Sequence, residues 1–313
     1  MGLAIVVPCL NEEPSLRRLA GRLRRTLREI TEDFEVVLVD DGSTDGTLTV
    51  MRELAADDPR FRYVALSRNF GKEAAMLAGL RHAEADVVGI MDADLQNPPE
   101  LLAQMVKLLD DGYDQVVARR DGKGMSWPRA LVTRAFYRVA NRMVDVELRD
   151  GIGDFRILSA KAVEALLSLE EINRFSKGLF SWIGFDTAVI DYHNVWREDG
   201  RSKWSFGKLV DYAVDGVVSF NNKPLRLAIY LGALFTLLAF GYAGWVLADA
   251  VVNGNAVPGY VTLMCGVAVF GGIQLVILGV IGEYLGRIYL ETKRRPHFVV
   301  KENGPPRSSG ALP

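Results

Sequence analysis

Asp92 and Asp94 stand one residue apart after the apolar run Val87 to Met91, and Gln96 follows two residues later. Two carboxylates and an amide are hard oxygen donors. They suit Mg²⁺ or Mn²⁺, ions often shared with substrate phosphates. The apolar run reads as a buried strand, and Asn97-Pro98-Pro99 with Glu100 as a turn that opens a helix. This places the carboxylates at the carboxyl end of a strand, where open α/β sheets bind ligands. On an extended segment alternate positions point the same way, so both could reach one point. The plainer reading of Asp-x-Asp is a solvated loop with a helix cap. Two more polar clusters follow apolar runs: Asn11-Glu12 after Leu3 to Val7, a strand stopped by Pro8, and Asp40-Asp41 after Phe34 to Val39. Single clusters can be caps, the expected role of Ser43 and Thr44. Three acidic clusters along one edge would repel a phosphate unless a metal ion intervened.

The elements that position these residues alternate in kind. Asn11 is expected to cap a helix in which Leu16, Leu19, Leu23 and Leu27 recur at helical spacing. A second helix carries Val50, Met51 and Leu54, a third strand spans Phe61 to Leu66, and a small-residue helix runs from Glu73 to Ala83. The pattern β-α-β-α-β-α-β predicts a parallel sheet covered by helices on both faces.

Several chemistries are excluded. Gly42-Ser43-Thr44-Asp45-Gly46 carries no lysine, so it is not a P-loop. Gly151-Ile152-Gly153-Asp154 is not a full dinucleotide fingerprint. His82, His193 and His297 lack metal-ligand spacing, which argues against zinc. Cys9 and Cys265 lie in a strand and an apolar span, so no disulfide is expected. A net charge of −2 gives no reason to expect nucleic acid. Neither a secretory leader nor an N-myristoylation site is expected.

Charge is unevenly distributed along the 313 residues. Arg119 to Met143 is basic, and Arg134, Arg138 and Arg142 share one helix face opposite Val132, Phe136, Val139 and Met143. That is an ordinary amphipathic helix or a surface for an anionic lipid phosphate, with Arg119, Arg120 and Arg134 as its phosphate ligands. Asp154 falls in a glycine-hinged turn and either positions a substrate or caps structure. Phe206 to Val218 forms an apolar stripe, in the membrane interface or packed on the preceding domain. Leu227 to Ala248 and Gly259 to Gly282 contain no charged residue, and each exceeds the roughly 20 residues that span a bilayer. Lys223 and Arg226 precede the first span, Arg287, Lys293, Arg294 and Arg295 follow the second, and Asp249 to Pro258 has no Lys or Arg. Positive-inside bias puts both ends in the cytoplasm. The tail from Glu302 reads as disordered.

Val7-Pro8 with Asn11-Glu12, Val39-Asp40-Asp41-Gly42-Ser43-Thr44-Asp45, Asn69-Phe70-Gly71 and Asp92-Ala93-Asp94-Leu95-Gln96 together resemble family 2 glycosyltransferases of GT-A fold. More narrowly, the chain is similar to polyprenyl-phosphate glycosyltransferases, the dolichol-phosphate mannosyltransferase group and its bactoprenol-glucosyltransferase relatives. The likeness extends through Gly153-Asp154-Phe155-Arg156, Lys177-Gly178, Trp182-Ile183-Gly184-Phe185 and Arg201-Ser202-Lys203-Trp204 to both apolar spans. Asn97 stands where many relatives have Asp, and Trp204 where Tyr is common.

The resemblance implies an α/β fold, a Rossmann-like, mostly parallel GT-A sheet, with a C-terminal two-helix transmembrane hairpin. The expected organisation is a cytosolic catalytic domain over 1–200, an acceptor loop and juxtamembrane helix over 201–226, two membrane helices over 227–286 and a cytosolic tail over 287–313. Pro8, Asn11, Glu12, Asp40, Asp41 and Asp92 would bind the nucleotide sugar. Asp92, Asp94 and Gln96 would hold Mg²⁺ or Mn²⁺. Asp94, Asp154 and Arg201 would serve the reaction, and Arg119, Arg120, Arg134 and Lys203 the acceptor phosphate. The implied activity is inverting transfer of a hexose, foremost glucose from UDP-glucose, to undecaprenyl phosphate at the cytoplasmic leaflet of the plasma membrane. Implied partners are the bilayer, further copies of the chain as a tetramer, a flippase and a downstream transferase. Alternatives are a GDP-mannose-dependent mannosyltransferase and a non-catalytic nucleotide-sugar-binding scaffold. A processive polysaccharide synthase would carry Q-x-x-R-W and more spans, and neither is present.

Overall fold

A computed structural model describes residues 2–120, 151–192 and 259–304, with separate positions between 230 and 252. Among the described residues the strands are β1 (Leu3–Cys9), β2 (Phe34–Asp40), β3 (Phe61–Leu66), β4 (Val87–Ile90), β5 (Gln115–Arg120), β6 (Ile152–Ser159), β7 (Thr187–Tyr192) and β8 (Val300–Asn303). They form one sheet in the order β7-β5-β6-β4-β1-β2-β3-β8. β1 to β4 are mutually parallel, as expected. β6 runs antiparallel to β4 and β5, and β8 antiparallel to β3. The result is a mixed sheet whose central strands are parallel.

Both faces of the central strands are buried, which explains their nearly continuous apolar runs. Leu3, Ile5 and Val7 of β1 face one core with α1 (Glu13–Ile30), α2 (Thr47–Asp57) and α4 (Leu102–Asp110). Ala4 and Val6 face the other, with α3 (Lys72–His82), α5 (Ala160–Leu167) and α6 (Ser176–Trp182). Leu16, Leu19, Leu23 and Leu27 are all fully buried, each contributing about 1.5–3 kcal/mol over an exposed leucine. α3 is rich in small residues because it sits close on β1: a Cβ on Gly79 would lie 2.1 Å from Val6 Cγ1.

Several expectations need correction. β1 does not stop at Pro8 but continues to Cys9, with Pro8 opposite Val39 of β2. Pairing with β4 ends at Val6, so Pro8 has a neighbour on one side only, an edge-like position where a missing N–H is tolerated. Asn11 does not cap α1. Glu12 occupies that position, and Asn11 has a left-handed φ of 55°. Asp154 lies in β6 rather than in a turn. The turn before it is made at Gly151, whose φ is 76°. The tail does not become irregular at Glu302, since β8 includes Glu302 and Asn303 and adds to the exposed edge of β3.

α7 (Tyr260–Thr292) contains the 24-residue stretch Val269–Thr292, in which an 18-residue window has mean hydropathy 1.7 and none of it is buried. Described positions between 230 and 252 are also helical, and the Phe235 ring meets Phe270 of α7 edge-on at 6.4 Å. After α7 the chain returns to the sheet. Glu291 Oε1 accepts from the backbone N–H groups of Ile172 (2.8 Å) and Asn173 (3.3 Å), and Ser67 N–H donates to Val299 O at 2.8 Å. The basic helix with Arg134, the loop with Arg201 and Lys203, the stripe from Phe206, and part of the first apolar span lie outside the described residues.

Candidate active site

The carboxyl ends of β2, β1 and β4 are neighbours in the sheet, so the three polar clusters do converge on one edge. Their side chains mostly build that edge. Asn11 N–H donates to Ser43 Oγ (3.0 Å), and Thr44 N–H donates to Asn11 Oδ1 (2.8 Å). Glu12 N–H donates to Thr47 Oγ1 at 2.9 Å. The loops after β1 and β2 are therefore stitched together. Ser43 and Thr44 act in this stitching rather than as helix caps. Pro8 and Asp40 are buried, and Asp40 Oδ1 accepts from Ser43 N–H at 3.1 Å. Asp41, also buried, reaches the other way and accepts from Phe70 N–H (2.7 Å) and Gly71 N–H (3.0 Å). Burial pushes the Asp41 carboxyl up despite those two bonds.

The Asp92–Asp94 segment is a tight turn rather than an extended strand end. Asp94 Oδ1 accepts from Gln96 N–H at 3.1 Å, and Leu95 has a φ of 62°. Gln96 Oε1 accepts from Arg120 Nη2 at 3.0 Å, which ties a residue expected at the metal to one expected at the acceptor phosphate. Arg119 points to the other face of β5 and pairs with Asp191 of β7 at 2.5 Å. The two arginines are therefore not brought together. Buried Asn97 accepts from the Tyr192 hydroxyl at 2.9 Å, a structural role.

Asp154 joins the site through strand register. Ile90 of β4 pairs with Arg156 of antiparallel β6, and continuing by two residues sets Asp154 across from Asp92. The ammonium of Lys72, first residue of α3, lies between them, 2.5 Å from Asp92 Oδ1 and 2.5 Å from Asp154 Oδ2. Burial opposes ionisation of Asp154, but Lys72, then Lys177 and Arg156, outweigh it and hold the carboxyl below its usual range. Arg156 lies beneath, with Nη2 donating to Gly153 O at 2.9 Å and its guanidinium 3.5 Å from the Phe180 ring centre. Complete burial pulls its pKa down to about 10.

The profile of glycosyl transferase family 2 matches residues 4–167 of the 313. A Bacillus subtilis (strain 168) protein named CsbB, described as a glycosyltransferase, is 49% identical over 300 residues, 96% of this chain and 91% of its own. This chain belongs to glycosyl transferase family 2. The prophage bactoprenol glucosyl transferase homolog of Escherichia coli (strain K12) is 36% identical, covering 96% of this chain and 99% of its own. The SfII prophage-derived bactoprenol glucosyl transferase of Shigella flexneri is 37% identical, covering 97% and 98%. A second profile, the GtrB C-terminal hairpin, matches residues 223–288. Together with the exposed apolar length of α7, this makes the glycosyltransferase a membrane-associated one.

Two residues beside Asp92 and Asp154 in this family 2 glycosyltransferase escaped the sequence reading. Lys72 and Glu73 follow Asn69-Phe70-Gly71, and only the fold reveals that Lys72 faces Asp154 of β6 and Glu73 faces Ser176 of α6. Glu73 Oε2 accepts from Ser176 N–H at 3.1 Å and also from Ser176 Oγ. Burial, with a smaller push from Asp154, raises its carboxyl to about 7. An unfolded glutamate titrates near 4.3. Between those values the folded chain holds a proton that the unfolded chain has lost, so this group's contribution to stability falls as pH rises and levels off above about 7. Glu73→Gln keeps an acceptor for Ser176 and removes the titration. Thermal midpoints from pH 5 to 8.5 should show the variant gaining on the parent as pH rises, by on the order of 3 kcal/mol at most. Parallel curves would show that Glu73 is not protonated in the folded state.

Proposed function

We propose that this chain transfers one glucose from UDP-glucose to undecaprenyl phosphate at the cytoplasmic face of the membrane. The observation that carries the reading is the meeting of Asp92 and Asp154 at one cationic point, at the edge of a sheet in a chain that also carries the hairpin. The two relatives named as bactoprenol glucosyl transferases match along nearly their whole length, which supports the lipid acceptor and the sugar. The Lys and Arg residues flanking the apolar spans support a two-span hairpin with both ends cytoplasmic.

The residues present fit a divalent ion shared with substrate. Among the described residues no group of three His, Cys, Asp or Glu side chains gathers around one point. A Mg²⁺-type site needs only one or two carboxylates, with substrate phosphates and water completing it. Asp92 and Asp94 would supply those carboxylates, with the Gln96 amide beside them. The ion would neutralise the charge that develops on the departing nucleoside diphosphate.

The chain's own groups do the rest. The stitched loops carrying Asn11, Asp40 and Asp41 form the wall against which the nucleotide is held. In the transfer, an acceptor phosphate oxygen forms a bond to the anomeric carbon. The bond from that carbon to the diphosphate oxygen breaks, and its electron pair leaves with the diphosphate, inverting the centre. A phosphate monoester has its second pKa near 6, so the attacking oxygen is already ionised at neutral pH. Asp154, held ionised by Lys72, is placed to orient the acceptor rather than to remove a proton. Arg120, beside Gln96, stands on the acceptor side, while Arg119 is engaged with Asp191.

Purified full-length protein should be offered undecaprenyl phosphate with UDP-glucose or GDP-mannose, and the lipid product weighed by mass spectrometry. One added hexose from UDP-glucose alone is expected. Transfer from GDP-mannose alone would replace the sugar assignment, and no transfer from either would favour a scaffold.

A further inference from the structure

We propose that Lys72 competes with the divalent ion for Asp92 and reserves Asp154 for the acceptor side of the reaction. This rests on the metal reading given above. One ammonium bridges two carboxylates from different strands, 2.5 Å from each. A cation at the first residue of a helix opposes the helix dipole, so α3 gains nothing from it. The compensation comes from Asp92 and Asp154.

The reach of Lys72 is fixed from behind. Gly71 has a φ of 99°, and the N–H groups of Phe70 and Gly71 are both held by Asp41. The nucleotide-side loop thus sets where the ammonium stands. An ion that takes Asp92 would meet this ammonium at contact distance and be opposed by its charge unless the ammonium moved off Asp92 Oδ1. The ammonium can then stay with Asp154 alone. Without Lys72, Asp92 and Asp154 would face each other as bare carboxylates and could grip one ion together. That would bind metal more tightly and spend Asp154 on it. Lys72 therefore acts as a positioning residue whose charge keeps the two carboxylates in separate roles.

The test reads metal affinity rather than turnover. Mn²⁺ is titrated into purified full-length protein without donor, and free Mn²⁺ is followed by electron paramagnetic resonance. Lys72→Met should bind Mn²⁺ about tenfold more tightly than the parent, as expected when one competing unit charge is removed at contact distance. Lys72→Arg, which keeps the charge, should stay within about twofold. Adding Asp154→Asn to Lys72→Met should abolish most of the gain. Lys72→Gln repeats the measurement on a polar, uncharged side chain, and circular dichroism verifies the fold of each variant.

Equal or weaker Mn²⁺ binding by folded Lys72→Met and Lys72→Gln, with the parent binding in an Asp92-dependent manner, would overturn the role of Lys72 alone. A parent whose Mn²⁺ binding is absent or indifferent to Asp92→Asn would overturn the metal reading and the competition with it.

Discussion

Asp94→Asn is expected to reduce glucosyl transfer by about 10²–10³-fold, the scale on which removal of one preorganised charge-stabilising group is felt. The substitution removes a charge at nearly constant volume. It also spares the turn, because the asparagine Oδ1 can still accept the Gln96 N–H that Asp94 Oδ1 accepts at 3.1 Å. Leu95, enclosed by that bond, keeps its φ of 62°. The loss should therefore fall on turnover with little change in the unfolding midpoint. Chelator should silence the parent enzyme in the same way, and added Mg²⁺ or Mn²⁺ should restore it. Gln96→Ala should cost less, since its amide oxygen is already engaged by Arg120. Full turnover by Asp94→Asn, or by the parent in excess chelator, would refute the shared-ion reading.

The parallel half of the sheet was legible because its signals are local. Apolar runs, helical leucine spacing and proline turns each report on a few neighbouring residues, and β1 to β4 alternate with helices as that pattern demands. β5 to β7 are not legible in the sequence, and Glu302 and Asn303 of β8 fall where a disordered tail is expected. Antiparallel pairing between Ile90 and Arg156, or Leu66 and Val300, is a contact between distant segments, which periodicity cannot register. The polar β8 in particular has no apolar run. It is a strand because β3 offers it an open edge of backbone hydrogen-bonding groups.

The same distinction explains the site. Asp92, Asp94, Asp40, Asp41 and Asn11 stand out in the sequence because each follows an apolar run. Their partners were missed because partnership is spatial: Asp41 to the backbone at Phe70 and Gly71, Asn11 to Thr44, Gln96 to Arg120. Lys72 gave a faint signal, a cation at a helix start, where the dipole disfavours one. Arg119 and Arg120 are adjacent in sequence, yet a strand sends them to opposite faces, so only Arg120 stands by the site.

Gly42→Ala should be strongly damaging to the catalytic domain. Gly42 follows Asp41, at a φ of 71°. A Cβ there would lie 2.4 Å from Arg68 C and 2.5 Å from Asn69 N, which are backbone atoms that no rotamer change can move. Two costs add. The left-handed conformation costs an L-residue about 1–2 kcal/mol, and overpacking about 1–3 kcal/mol more. A loss of about 2–5 kcal/mol is a large share of the stability of an ordinary domain. The chain can relieve the clash only by parting the loop after β2 from the loop after β3. That separation pulls Asp41 from Phe70 and Gly71 and moves Lys72 away from Asp92 and Asp154. Donor KM should therefore rise along with the fall in denaturant midpoint. Gly112→Ala provides the control, because Gly112 has a φ of 106° but nothing within 4 Å of the added Cβ. It should cost only the backbone share, about 1–2 kcal/mol, and leave the donor KM unchanged. Equal losses from the two substitutions would mean that the loops after β2 and β3 are not locked together at Gly42.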